Sequence, residues 1–370
     1  MKKYLVQKPC LKAALFCVDS LLSVLFMWKK ERALVEPKKI LLSNIAHLGD
    51  VVIATSVLPL IKQRFPDCKI GFLVGSWSSA ILDNHPLVDY VHTMDHWKLS
   101  RKKVSFWKKF QTYRVSRKKA LAEIRRVGYD AAVDLYSFLP NSIYTLARAN
   151  IPYRIGYDNA GFGPLLSKSL TWTEQNKYMS FYHKALLQLM GIEGSFDGLP
   201  CLHMNYKKDI ELPEKYVLFH VGSGSEIKEW SAAKWSVLLS KMKEAGLGVV
   251  FTGTGERELV KVNQINQLFW GVNLVDQLDL NGLMLAIKQA QLVIASDSVV
   301  IHMAAGLQVT ALSIFCGINN PLQWTPPSCA IVIKNEPCIP CHKKSGCDSM
   351  TCLQGVSVDE VFEKIKAIFA

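Results

Sequence analysis

The sequence lacks both glycine spacings that most often mark a phosphate-binding strand–turn–helix unit, since neither G-x-x-x-x-G-K-[ST] nor G-x-G-x-x-G is present. The first absence excludes a P-loop nucleotidase, and the second weakens a nicotinamide-cofactor reading. There is no internal repeat. No apolar run suits a membrane crossing: residues 11–27, LKAALFCVDSLLSVLFM, are 17 long and broken by Lys12, Asp19, Ser20 and Ser23, where a span needs about 20 apolar residues. A cleaved signal peptide is not expected either, because no small-x-small site follows this run and WKKER comes directly after it. Acid is nearly missing from one window. Residues 97–126 hold Glu123 alone against twelve Lys and Arg, a local charge of +11.

What is present is an ordinary globular composition, 49% hydrophobic and 20% charged over 370 residues, enough for two domains. Residues 1–39 add a second basic segment of +6. The two windows together carry +17 against a whole-chain +13, so the remainder is −4. Such patches concentrate anions: nucleic acid, anionic lipid, or a phosphorylated or carboxylated substrate. A solvated helix face is the plainer alternative, but Trp97, Phe106, Trp107, Phe110 and Tyr113 are interleaved with the 97–126 charges. On a helix over 11–27, Lys12, Asp19 and Ser23 share one stripe, which predicts an amphipathic helix lying in the plane of a membrane, with a packed core helix and a span as alternatives. Lys2, Lys3, Lys8, Lys29, Lys30 and Arg32 flank it.

From Lys39 onward short aliphatic runs alternate with helical patterns, which predicts parallel sheets covered by helices. The runs are 39–45, 69–74, 129–135, 216–221, 247–253, 292–296 and 309–315, with helices such as 51–65 and 231–245 between them. Residues near 195–215 have little periodicity and read as a linker. The expected organisation is a basic amphipathic segment (1–38) and two Rossmann-like domains of roughly 165 residues (39–200 and 201–370), their parallel sheets facing a central cleft.

Ligands bind open parallel sheets at the carboxyl ends of strands, so the residues after each run are the candidates. Gly49 and Asp50 follow the first run; Asp50 fits a helix cap as well as a general base facing an acceptor hydroxyl. Ser223, Gly224 and Lys228 follow the fourth, where small residues before a helix present N–H groups to phosphate and the lysine adds positive charge. A plain turn is the alternative. Glu256, after Thr252-Gly253-Thr254-Gly255, can grip ribose hydroxyls or cap its helix. Asp297 and Ser298 end the 292–296 run and suit sugar hydroxyls and phosphate oxygens. His302 is open between a buried structural role and a ligand contact. Cys338, Cys341, Cys347 and Cys352 are spaced for a structural zinc or iron, with two disulfides or unligated thiols as alternatives.

In combination these stretches resemble one family. GDVVIATSVLPLIKQRFP with Asp50, RIGYDNAG (154–161), GSGSEIKEW (222–230), GTGERE (253–258), DSVVIHMAAGL (297–307) and PLQWTP (321–326) are similar, in this order, to the ADP-heptose lipopolysaccharide heptosyltransferases, glycosyltransferase family 9, from about Lys39 onward. The resemblance implies a GT-B fold, no catalytic metal and inversion at the anomeric carbon. It makes Asp50 the base, and has Lys228 and Ser223 stabilise the departing diphosphate. Glu256, with Glu258 as rival, would bind ribose, and Asp297 and Ser298 sugar and phosphate. Gly224 and His302 complete the expected donor set. Val299 stands where many members have Gly, and residues 1–38 have no counterpart. The first domain would bind an acidic acceptor, the lipopolysaccharide inner core, through Arg101, Lys102, Lys103, Arg117 and Lys118, on the cytoplasmic face of the inner membrane and in contact with anionic lipid. Another sugar nucleotide, a protein acceptor, or a non-catalytic membrane-surface protein are the alternatives. A nucleic-acid partner is not expected, for no recognised binding module accompanies the basic patches.

Overall fold

The computed structural model describes residues 4–6, 8–26, 36–139, 141–205, 210–268, 270–343 and 345–370. Lys2, Lys3, Lys29, Lys30 and Arg32, expected to flank the N-terminal helix, lie outside these, as do residues 206–209 of the expected linker. The chain forms two compact units, residues 1–175 with 180–197 and residues 176–179 with 198–370.

In the first unit six parallel strands, β1 (Lys39–Asn44), β2 (Lys69–Val74), β3 (Tyr90–Thr93), β4 (Ala131–Asp134), β5 (Tyr153–Tyr157) and β6 (Lys168–Leu170), lie in the order β3-β2-β1-β4-β5-β6. Its helices are α1 (Pro9–Phe26), α2 (Leu48–Ala54), α3 (Leu58–Arg64), α4 (Phe106–Val127), α5 (Ile143–Arg148) and α6 (Met179–Gln188), the last reaching one residue into the other unit. Ile40, Leu41 and Leu42 are wholly buried, since a parallel sheet is covered on both faces and its central strands are apolar throughout. The helix expected over 51–65 starts earlier, at Leu48. It also breaks at a 3-10 turn, Thr55–Val57, after which Pro59, having no N–H to give, opens α3. β5 is harder to see in sequence because it carries Arg154. The guanidinium is buried and donates to the Leu165 carbonyl at 2.7 Å and to that of Ile151.

The N-terminal helix forms as expected but is turned over. Leu15 and Asp19 are buried, with Leu11, Lys12 and Leu22 half-buried along the same row, so the centre of the polar stripe faces the domain. Burial of the carboxylate is compensated. Asp19 accepts hydrogen bonds from the Tyr4 hydroxyl at 2.8 Å and the Phe162 N–H at 2.7 Å. Phe16, Leu21, Val24 and Leu25 face outward. No helix among the described residues is long and apolar enough to cross a membrane.

In the second unit β7 (Tyr216–His220), β8 (Gly248–Thr252), β9 (Val272–Asn273), β10 (Leu292–Ser296), β11 (Ala311–Ile314) and β12 (Cys329–Val332) lie in the order β12-β11-β10-β7-β8-β9, again all parallel. Read from its own first strand, this repeats the strand order of the first unit. Helices α7 (Ala232–Glu244), α8 (Glu256–Ile265), α9 (Leu280–Gln289), α10 (Val299–Gly306), α11 (Pro321–Trp324), α12 (Thr351–Gln354) and α13 (Val358–Phe369) complete it. Trp230 and Trp235 are fully buried against each other, rings edge to face at 5.5 Å. Ser231 caps α7 by accepting the Lys234 N–H.

Hydrogen bonds to a charged group contribute about 2 kcal/mol each when their loss leaves a buried donor unpaired. Asp19→Ala removes both bonds, about 4 kcal/mol, and is therefore expected to loosen α1, raising amide hydrogen exchange across Pro9–Phe26 by roughly a thousandfold while exchange in β1 and β4 stays unchanged.

Candidate active site

In each sheet the strand order reverses between its first and fourth strands, β1 and β4 in one unit and β7 and β10 in the other. Loops leaving two such strands diverge to opposite faces and leave a crevice at the carboxyl ends. Asp50 falls at the first of these points, and Ser223, Gly224, Lys228, Asp297 and Ser298 fall at the second.

In the first unit Asp50 is the third residue of α2, not its cap. His47 is the cap, and its N–H donates to Asp50 Oδ2 at 3.1 Å, which closes a capping box. Asn44, at the end of β1, donates from Nδ2 to the Asp50 carbonyl at 3.1 Å. Asn141 donates to the Ile45 carbonyl at 2.8 Å, tying the loop after β4 to the loop after β1. Asp134 ends β4 opposite Ser43 and is completely buried. Burial pushes its carboxyl up to about 7, against the Ser142 hydroxyl and the Tyr136 N–H, which favour the anion. Burial likewise holds the Tyr136 phenol protonated, with the charges of Asp50 and Asp134 adding to the effect. Asn44, Asp134, Tyr136 and Asn141 were not singled out from sequence, although Asp134 ends a recognised run and the strand-end rule points to it.

In the second unit the loop after β7 brings Lys228 to the end of β10, where its ammonium lies 2.6 Å from Asp297 Oδ2. The lysine side chain is 23% exposed and the aspartate 9%. Asn319 donates to the same oxygen at 3.3 Å. Ser298 caps α10 without bonding its backbone, and among the described residues its buried hydroxyl has no partner. Ser223 is engaged within the loop: its Oγ donates to the Ser225 carbonyl at 2.6 Å, and its N–H donates to Glu229 at 2.9 Å. Glu229 in turn is held by Lys261 at 3.0 Å and Arg257 at 3.0 Å, a support beneath the loop that sequence reading did not find. Gly224 is exposed at its tip.

Of the two acids considered for ribose, Glu256 is exposed and Glu258 buried. Glu258 accepts the Thr254 N–H at 2.9 Å and lies against two glycines, Gly222 and Gly253; a Cβ on Gly222 would come within 2.1 Å of its carboxyl carbon. His302 is fully buried, 2.9 Å from the Tyr178 hydroxyl through Nδ1 and stacked on that ring. Burial holds it down to about 4 although Asp297 opposes this, so it is neutral at pH 7.

The remaining candidates are dispersed. Arg101, Lys102 and Lys103 lie in the exposed loop before α4, while Arg117 and Lys118 lie in the middle of that helix. Arg117 donates to Thr145 Oγ1 at 3.0 Å and stacks over Tyr144 at 4.9 Å. The expected four-cysteine metal site is not assembled. Cys352 is buried in the core of the second unit, Cys338 and Cys347 are exposed, and among the described residues no three His, Cys, Asp or Glu side chains are grouped as metal ligands.

Solved glycosyltransferases share this architecture. A glycosyltransferase of family 9 from Veillonella parvula aligns over 90% of this chain and 97% of its own, with TM-score 0.70 at 16% identity. The E. coli heptosyltransferase WaaC, solved with ADP, aligns over 89% and 99% with TM-score 0.68 at 16% identity. The fold is thus the GT-B arrangement of two parallel α/β units, and the protein is a glycosyltransferase. The family model for glycosyltransferase family 9 (heptosyltransferase) matches residues 117–350, and the chain belongs to that family. Lipopolysaccharide heptosyltransferase 1 of Campylobacter coli is 26% identical over 305 residues, 75% of this chain and 83% of that protein.

Asp134 gives the first unit a pH dependence of definite sign. Its folded pKa is raised, so the folded state holds a proton that the unfolded state releases above pH 4. Stability from this group is full below about pH 4 and is lost as pH rises through about 7. Asp134→Asn is expected to flatten the unfolding midpoint of the first unit between pH 4 and 8, removing up to roughly 4 kcal/mol of dependence. Calorimetry across that range checks it.

Proposed function

We propose that this protein transfers a heptose from ADP-heptose to a hydroxyl of the lipopolysaccharide inner core, with inversion and without a catalytic metal, at the cytoplasmic face of the inner membrane. The observation that carries the reading is the end of β10. There a lysine ammonium, a serine hydroxyl without a partner among the described residues, and the N-terminus of α10 come together, which is what a departing diphosphate requires. Asp297 holds Lys228 in place until the donor arrives. Glu258 is the acid we assign to the ribose hydroxyls, because two glycines leave it room at the strand ends where Glu256 points to solvent.

In this reading Asp50 takes the proton of the acceptor hydroxyl as its oxygen bonds to the anomeric carbon. The bond from that carbon to the diphosphate oxygen breaks on the opposite face, and ADP leaves with the electron pair, its charge met by Lys228. The hydrogen bond from the His47 N–H fixes one carboxylate oxygen and so orients the base. Arg101, Lys102, Lys103, Arg117 and Lys118 are the groups we assign to the phosphates and acidic sugars of the acceptor.

A panel of sugar nucleotides with truncated lipopolysaccharide tests this by release of nucleoside diphosphate. Asp50→Asn keeps an acceptor for the His47 N–H but cannot take a proton, so turnover is expected to fall about a thousandfold with the melting temperature unchanged. Lys228→Ala is expected to lower turnover about a hundredfold or more. Equal turnover by Asp50→Asn would sink the base assignment, and no turnover with any donor would favour a membrane-surface protein without catalysis.

A further inference from the structure

α1 exposes its apolar side. Leu21, Val24 and Leu25 are 62%, 65% and 65% exposed, with Phe16 and Val18 at the edges of the same face. From Ala13 to Leu25 the exposed residues include no charged side chain. This is an apolar surface that the domain could have covered but has not, for the buried row is the one containing Asp19. A helix held by its polar stripe, with its apolar side to solvent, is oriented for a partner.

The neighbouring surface shows what that partner is. Leu22 of α1 packs with Phe162, Ile143 and Leu165. The ring of Tyr144, itself exposed on α5, contacts Phe162 on one side and is covered by the Arg117 guanidinium of α4 on the other. Arg125 of α4 donates to the Arg148 carbonyl of α5 at 2.5 Å. α1, α5 and α4 are therefore contiguous. Along α4 runs a groove of about 330 Å³ lined by Tyr113, Arg114, Arg117, Lys118, Leu121 and Arg125, cations on an apolar floor. α4 carries eight Lys and Arg, and its one acid, Glu123, is paired with His92 at 3.2 Å. At its start Trp107 is 71% exposed and Phe106 half exposed, and membrane interfaces favour Trp in particular.

We propose that α1, α5 and α4 form one docking face for an anionic bilayer, the apolar row of α1 entering the headgroup–acyl boundary and the α4 groove receiving lipid phosphates. Apolar insertion and cationic attraction reinforce each other on such a surface. A second copy of the chain fits this face poorly, because symmetric pairing brings like-charged α4 helices together. The inference shares with the proposed function the membrane location and two of the cations assigned there to the acceptor, Arg117 and Lys118; vesicle binding without donor or acceptor reads it independently of sugar transfer.

The test is sedimentation of the full chain with vesicles of phosphatidylcholine alone and of phosphatidylcholine mixed with phosphatidylglycerol. Wild type is expected to favour the anionic vesicles, less so as salt rises. The combined variant Leu21→Asp, Val24→Asp, Leu25→Asp withholds three aliphatic side chains from the bilayer and is expected to bind roughly a hundredfold more weakly, with unchanged melting and unchanged turnover on a short water-soluble acceptor. The variant Arg114→Glu, Lys118→Glu is expected to lose roughly thirtyfold or more on anionic vesicles and little on phosphatidylcholine. Undiminished binding by the aspartate variant, or equal binding of wild type to both vesicle types, overturns the proposal. So does a wild-type dimer that the aspartate variant converts to monomer, which would make the face an interface between copies.

Discussion

A strand in a parallel sheet delivers its chain to the same edge as every other strand, and the helix that follows begins there with N–H groups that no carbonyl of its own can reach. Polar chemistry therefore collects at one edge of such a sheet, and most of all where the strand order reverses and two crossovers part. Both units of this protein obey that constraint with the same strand order. It explains why Asp50 and Asp134 come to the ends of β1 and β4, and why Lys228 and Asp297, 69 residues apart, become an ion pair at the ends of β7 and β10. The support of Glu229, Lys261 and the partly exposed Arg257 beneath the Lys228 loop follows from the same crowding. Small residues let that loop pass over the strand ends, and charged groups below satisfy the backbone it leaves unpaired.

The alternating pattern in sequence was sufficient for the fold class, because seven largely apolar runs between residues 39 and 315 alternate with helical patterns, as strands covered on both faces require. It did not show β3, β5, β6, β9 and β12, and in two of these the reason is plain. β5 contains an arginine satisfied by carbonyls, and β9 has two residues only. Helix boundaries moved for local reasons: His47 rather than Asp50 caps α2, and Pro59 divides what periodicity joined.

Candidate site residues were legible as strand-end motifs one at a time, and their spatial relations were not. Glu256 and Glu258 are both acids in the first turn of α8, about 200° apart around the helix, and sequence offers no reason to prefer either. What distinguishes Glu258 in the fold is steric, two glycines on two different loops that together leave space for its carboxylate. The stripe of Lys12, Asp19 and Ser23 shows the same limit from another side. Periodicity tells which residues share a face of α1, but the partners that turned it inward, Tyr4 and the Phe162 N–H, are a side chain and a backbone group that no pattern within the helix contains. Cysteine spacing likewise could not reveal that Cys352 joins the core while Cys338 and Cys347 are exposed.

The Lys228 loop is anchored through Trp230, whose indole donates to the carbonyl of Val356, 126 residues further along the chain, and Lys234 donates to that same carbonyl at 2.8 Å. During synthesis, then, the first unit and most of the second sheet emerge before the piece that steadies this loop exists. The segment that steadies the lysine-bearing loop also brings Val356, Val361 and Ile365 into the core of the second unit, so the loop and that core are completed together.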